Sequence, residues 1–219
     1  MGRTQWTADL EWVRTPRQTR SERTQTAVLD AAAALFAERG VDHASVSDIA
    51  ARAGTSVGTI YHHFSDKQGL VFALFDRLAA ELDATTADAV DPARWHGAGI
   101  ADVLRGYLDF ALDVGRTLPA FRIVSRAAAA RDVGARELLE KLHRNIDEGV
   151  RALLLARAAE ITHPARELAV DLVLDQIAAM LLVRLEPELR PSRLAELDDD
   201  AWIDETLHSA LTHLGLTTD

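Results

Sequence analysis

The sequence contains no cysteine, which excludes disulfides and thiolate metal sites and agrees with a reducing compartment. Long apolar runs are missing too. The longest in the C-terminal half, 177–183, has seven residues, against roughly 20 for a membrane span, so no transmembrane segment is expected. The opening residues Gly2, Arg3, Thr4, Gln5 and Trp6 lack the apolar stretch of a secretion signal, and a cytoplasmic location is expected. There is no Gly-rich phosphate loop, no His-Glu-x-x-His run and no nucleophile elbow. The eight histidines are scattered, and His208 and His213, five apart, do not share a helical face. These gaps argue against an enzyme, and neither a metal nor a cofactor is expected.

What is present suffices for a folded core. A chain of 219 residues that is 48% hydrophobic and 26% charged can form one large or two smaller domains. The net charge of -10 at first opposes a nucleic-acid partner, because phosphate binding is driven by Lys and Arg releasing counterions. Its distribution weakens the objection. Residues 1–77 hold nine basic and nine acidic side chains, so the whole excess lies in 78–219. A neutral head on an acidic body can bind a duplex if its basic groups gather on one surface, and the body then repels non-cognate DNA.

The pattern predicts an all-α protein of about nine helices. Residues 1–20 read as a flexible arm, with Arg3, Arg14, Arg17 and Arg20 among polar residues, Pro16 as a helix breaker, and Trp6 and Trp12 either incidental or docked on the body. From Ser21 a helix carries Val28, Ala32, Leu35 and Phe36 on one face and stops at Gly40. Ser45-Val46-Ser47-Asp48 resembles a capping box, and Val46, Ile49, Ala50 and Ala53 make a short amphipathic helix ended by Gly54. Ser56 then opens a second short helix, 57–63. Two short helices joined by a tight Gly-containing turn are a helix-turn-helix, here 45–64. Its steric needs are met by a small residue at the contact, Ala50, a left-handed turn at Gly54, and an aliphatic anchor, Ile60. Further helices are expected at 66–89, 100–116, 119–130, 133–160, 164–185 and 200–214, with Pro187 and Pro191 closing the 164–185 helix.

The string Gly58-Thr59-Ile60-Tyr61-His62-His63-Phe64-Ser65-Asp66-Lys67 resembles the recognition helix and following helix start of the tetracycline-repressor (TetR) family of bacterial regulators. So does the preceding helix, 31–40, with Leu35-Phe36 and Arg39-Gly40. The resemblance covers roughly 21–75. It implies a three-helix DNA-binding domain at 21–66 and a larger helical bundle at 67–219 for ligand sensing and dimerisation. It also implies that Ser56, Val57, Gly58 and Thr59 face base edges and phosphates, and that Tyr61 and His62 meet the DNA backbone. Lys67 would pair with a phosphate beside the free amides of its helix. Ser45 and Ser47 would reach phosphate from the first helix of the motif, and Arg20 and Arg23 the adjacent backbone or minor groove.

Each assignment has a plainer competitor. Ser45 and Ser56 can be caps alone, Phe64 is read as ordinary packing, and His62-His63 point in different directions on a helix, so metal binding there is discounted. Val57 stands where many family members carry a charged or long polar side chain. It can touch a thymine methyl but cannot hydrogen-bond a base, so readout would rest on Thr59, the Gly58 backbone and DNA shape.

In the body, 164–185 is apolar nearly all round, and the last helix carries a stripe through Trp202 and Leu214. The family implies a four-helix bundle across a two-fold axis, with Leu172, Gln176, Ala179, Met180, Val183, Ile203, Leu207, Ala210, Leu211 and Leu214 at the interface. The alternative is that both helices finish one protomer's core. Trp95, Leu104, Tyr107, Phe110, Phe121, Leu138, Leu142, His143 and Ile146 are the candidates for an effector pocket, with core packing as the competing role for each. The expected function is a homodimeric repressor that binds a palindromic operator in double-stranded DNA and is released by a small hydrophobic ligand. The alternative keeps the DNA head and gives the body a protein partner or a purely structural task.

Overall fold

The computed structural model describes residues 20–186 and 192–216. The arm with Trp6 and Trp12, and Pro187 and Pro191, lie outside the described residues. Among those described, the chain is all helical. The α-helices are α1 (Arg20–His43), α2 (Val46–Arg52), α3 (Val57–His63), α4 (Lys67–Ala89), α5 (Ile100–Thr117), α6 (Pro119–Ala129), α7 (Val133–Leu155), α8 (Arg166–Leu185) and α9 (Asp199–Leu214). Short 3-10 helices occupy Pro92–Trp95 and Arg193–Glu196. None of the described helices is long and apolar enough to cross a membrane.

Helix boundaries follow local chemistry. The predicted stop at Gly40 is a break within α1: Gly40 takes φ 78°, a left-handed conformation that glycine adopts without a Cβ penalty, and one more helical turn follows to His43. The helix expected at 133–160 ends at Leu155. Beyond it the backbone tightens into i to i+3 bonds, such as Arg157 N to Leu154 O at 2.9 Å. The Arg157 guanidinium donates to the carbonyls of Ala98, Trp95 and Leu153 at 2.7, 2.5 and 2.6 Å, which anchors this turn to the segment before α5.

Packing divides the described chain into two compact units whose boundaries fall inside α4 and α7. One contains 20–84 and 117–143, so α6 and the first half of α7 belong with the three N-terminal helices. Its apolar cluster joins Val28, Leu35 and Phe36 of α1, Ile49, Ile60 and Phe64 of the motif, and Leu70, Leu74 and Phe75 of α4 to Ala120, Val124 and Ala128 of α6. Ala135 and Leu142 of α7 complete it. The Phe75 and Phe121 rings stack with centroids 6.3 Å apart.

The other unit contains 85–116, 144–186 and 192–216. Its core includes Leu104 and Leu108 of α5, Leu154 of α7, Val173 and Ile177 of α8, and Trp202, Leu211 and Leu214 of α9. Charged pairs bind its helices along their rims: Arg105 with Asp204, Arg116 with Asp199, and Arg184 with Asp199, the last at 2.7 Å. Arg184 also lies over the Trp202 ring, 5.8 Å from its centroid.

Candidate nucleic-acid interface

The turn between α2 and α3 is built from the inside out. Ile49, Ala50 and Ile60 are buried, so the two short helices meet across a small residue and an aliphatic anchor. Burying a side chain the size of Ile60 contributes about 2 kcal/mol. Between the helices Gly54 takes φ 64°, and Thr55 N donates to Ala50 O at 3.0 Å to close the turn. Both helices pack on α1.

Both serines are caps. At α2 the Ser45 hydroxyl accepts from the Asp48 amide at 3.1 Å, and the Asp48 carboxylate accepts from the Ser45 amide at 3.2 Å and its hydroxyl at 2.7 Å, a reciprocal capping box. The Ser45 hydroxyl and amide together hold the Asp48 carboxyl below the usual range. At α3 the Ser56 hydroxyl accepts from the Thr59 amide at 3.1 Å and shares a 2.9 Å hydrogen bond with the Thr59 hydroxyl. A cap of this kind contributes about 1 kcal/mol to its helix.

The outward face of α3 is carried by Gly58, Tyr61 and His62, all exposed, at i, i+3 and i+4. Tyr61 is 51% exposed, unusual for an aromatic with no polar duty inside the fold. Val57, Thr59 and His63 are half-buried, and Phe64 is buried, as the packing role assigned to it requires. The His62 and His63 rings sit edge to face, centroids 5.4 Å apart. Ser45, Ser47 and Ser56 are exposed at the starts of their helices, and Arg23 is exposed on α1. Arg20 begins α1. Lys67, half-buried at the start of α4, donates to the carbonyl of Asp42 at 3.4 Å, a long contact that leaves its charge unneutralised by any carboxylate among the described residues.

Two arginines that the sequence reading gave no binding role make ion pairs between α1 and α2. Arg52 on α2 pairs with Glu38 of α1 at 2.7 Å, and Arg39 lies 3.8 Å from Asp48. The hydrogen bond from Arg52 holds the Glu38 carboxyl below its ordinary value. Nothing in linear spacing could reveal these pairs, because their members come from different helices. Arg131, in the turn after α6, likewise donates to the Gln68 side-chain carbonyl at 2.9 Å, on the first turn of α4.

The residues proposed for the body are placed differently. Of the effector-pocket candidates, Trp95, Leu104, Tyr107, Phe110 and Ile146 belong to one compact unit and Phe121, Leu138, Leu142 and His143 to the other. Trp95 is buried with its indole N–H donating to Ala89 O at 2.9 Å, and His143 is exposed. The dimer candidates separate by helix. On α8, Leu172, Gln176 and Ala179 are exposed and Met180 and Val183 half-buried, with Leu168 and Leu182 also exposed at 67% and 56%. On α9, Ile203, Leu207, Ala210, Leu211 and Leu214 are buried inside the protomer. In the protomer the α9 stripe faces the core of its own chain, and the helix turns Asp204, Glu205, His208 and Thr212 outward.

Residues 28–74 match the family model described as bacterial regulatory proteins, tetR family. The chain is similar to the HTH-type transcriptional repressor Rv3405c of Mycobacterium tuberculosis, with 36% identity over 88 residues, 40% of this chain and 42% of that protein. It is also similar to the HTH-type transcriptional repressor KstR2 of Rhodococcus jostii, 51% identical over 47 residues, 22% of this chain and 23% of that protein. The match thus spans about two fifths or less of the length of these relatives. Over nearly the whole chain, the fold is similar to that of the ketosteroid transcriptional regulator KstR2 of Mycobacterium tuberculosis. There the TM-score is 0.60 with 25% identity, over 94% of this chain and 100% of that one. A bacterial regulatory protein in the tetR family from Rhodococcus RHA1 shares the fold with a TM-score of 0.66 at 17% identity, covering 92% of this chain and 100% of that one. Residues 28–74 thus match the tetR family's N-terminal model, and the helical architecture of the chain is similar to that of solved tetR-family regulators.

Proposed function

We propose that this chain is a sequence-specific DNA-binding transcriptional regulator, a homodimeric repressor released from a palindromic operator by a small hydrophobic ligand. The observation that carries the DNA reading is the rigid, doubly capped α2–α3 pair, whose inner face is buried at Ile49 and Ile60 and whose outer face holds Gly58, Tyr61 and His62 free. A short helix presented in this way fits the major groove, with the first helix of the pair lying across it. The functional head is 21–66, reading DNA through Ser56, Val57, Gly58 and Thr59 and gripping the backbone through Tyr61, His62 and Lys67. Ser45, Ser47, Arg20 and Arg23 add contacts at its margins.

One seven-residue helix reads too few base pairs to be selective, so two copies are needed, and two-fold half-sites supply the missing information. The exposed apolar row of α8, Leu168, Leu172, Ala179 and Leu182, supports pairing through that helix, because a row of this kind is costly to leave in water. The relatives named as repressors, and one described as a ketosteroid transcriptional regulator, support repression and an apolar effector.

The test is a double substitution, Tyr61→Ala with Lys67→Ala, assayed on a duplex selected from random sequences by the parent protein. Affinity is expected to fall by about 100-fold, since each lost phosphate or base contact removes about 1 to 2 kcal/mol, while the oligomeric state stays as in the parent. A double mutant that binds the selected duplex as tightly as the parent would falsify the assignment.

A further inference from the structure

Residues 20–84 hold four glycines, and three are explained by the chain itself. Gly40 and Gly54 have φ of 78° and 64°, where a side chain is strained. At Gly69 a Cβ would come within 2.9 Å of the Ser65 hydroxyl and 3.6 Å of the Asp66 carboxylate, which accepts a 2.7 Å hydrogen bond from the Gly69 amide.

Gly58 has no such reason. Its φ is ordinary for a helix, it is exposed, and a Cβ would meet only the Ser56 hydroxyl, at 3.7 Å, an ordinary van der Waals contact. Neither Tyr61 nor His62, its neighbours on the same face, comes near enough to claim the space. Within the protein, alanine would fit there and would hold the helix better, because glycine adds backbone freedom to the unfolded chain and alanine removes it. The glycine weakens α3 with no compensating contact inside the molecule.

We infer that Gly58 is kept bare by the DNA: when Tyr61 and His62 engage the duplex, the wall of the groove occupies the volume that a side chain at 58 would need. This rests on the DNA-binding reading and gives Gly58, one of its reading residues, a contribution that consists in the absence of a side chain. It follows that stability and binding change in opposite directions at this one position, which neither a structural role nor an incidental glycine would produce.

The experiment compares the full-length parent with Gly58→Ala, by thermal unfolding and by fluorescence anisotropy on the duplex selected by the parent. The melting temperature of the variant is expected to rise by about 2 °C. Its affinity for the selected duplex is expected to drop roughly tenfold or more, the scale of forcing a methyl group into a closely packed contact. Equal losses on an unrelated duplex assign the occupied space to the sugar–phosphate backbone, and a loss confined to the selected duplex assigns it to a base edge; both uphold the inference. A variant that binds within twofold of a binding parent, or that melts below it, overturns the inference alone. A parent that selects no duplex overturns the DNA reading as well.

Discussion

Asp109 is one of the few described residues that the fold leaves with a buried, unsatisfied polar atom. One of its carboxylate oxygens is buried with no hydrogen-bond partner, and burial raises its pKa; Arg105 opposes the shift and Asp200 adds to it. Because the folded-state pKa lies above the unfolded one, the folded chain binds the proton more tightly. Stability therefore falls as pH rises through the window between the two values, and the deficit is fully present at neutral pH. Asp109→Asn is expected to raise stability by about 1 kcal/mol at neutral pH, the scale of relieving one unpaired buried acceptor. The gain should vanish near pH 3.5, about where the unfolded carboxyl is itself protonated. Melting curves of parent and variant at the two pH values check this, and an equal gain at both would remove the carboxylate as its cause. Asp109 was invisible in the sequence, because a lone acid on an amphipathic helix gives no hint of which side it falls on. Ser45 and Ser56 were legible, since a cap is a contact between residues three apart and is written into local spacing.

Among the elements, α3 and α8 differ in what their periodicity could reveal. The apolar residues of α3 are few and its caps strong, so both its limits and its inward anchor, Ile60, follow from the string itself. In α8 apolar residues surround the axis, and spacing alone cannot divide those facing the protomer core from those left outside. The structure divides them: Ala169, Val170, Val173, Leu174, Ile177 and Leu181 go inward, and Leu168, Leu172 and Leu182 remain outside. The α9 stripe leaves the same question open in the sequence, as an apolar face does not say whose core it completes. If the outer row of α8 joins two copies, Leu172→Glu with Leu182→Glu should give monomers at micromolar concentration. Each buried charge would cost several kcal/mol at a paired surface and little on a solvated one. Sedimentation equilibrium decides it, with a parent and a variant of equal mass ruling against α8 as the seam.

At the scale of the molecule, the -10 charge belongs to 78–219, while residues 1–77, which carry Tyr61, His62 and Lys67, are balanced. A regulator with an apolar effector and one whose body meets a protein partner would share this layout. A panel of hydrophobic small molecules, steroids among them, read by thermal shift, separates the two. A ligand that binds only the native state at 100 times its dissociation constant adds about 2.7 kcal/mol, roughly a 5 to 10 °C rise for a chain of this size. A panel that leaves the melting point unmoved counts against the effector reading.

The packing of α6 and the first half of α7 into the N-terminal unit bears on how such proteins can be recombined. Ala120, Val124, Ala128, Ala135 and Leu142 share one apolar cluster with Val28, Phe36 and Leu74, across a stretch of chain that belongs elsewhere. A hybrid made by a single crossover after α4 would inherit α3 without the side chains that finish its foundation, leaving an oily flank open to misassociation. The portable cassette is instead two separated pieces of gene, so exchange of the proposed DNA specificity is more readily achieved by altering the few outward positions of α3 than by swapping heads.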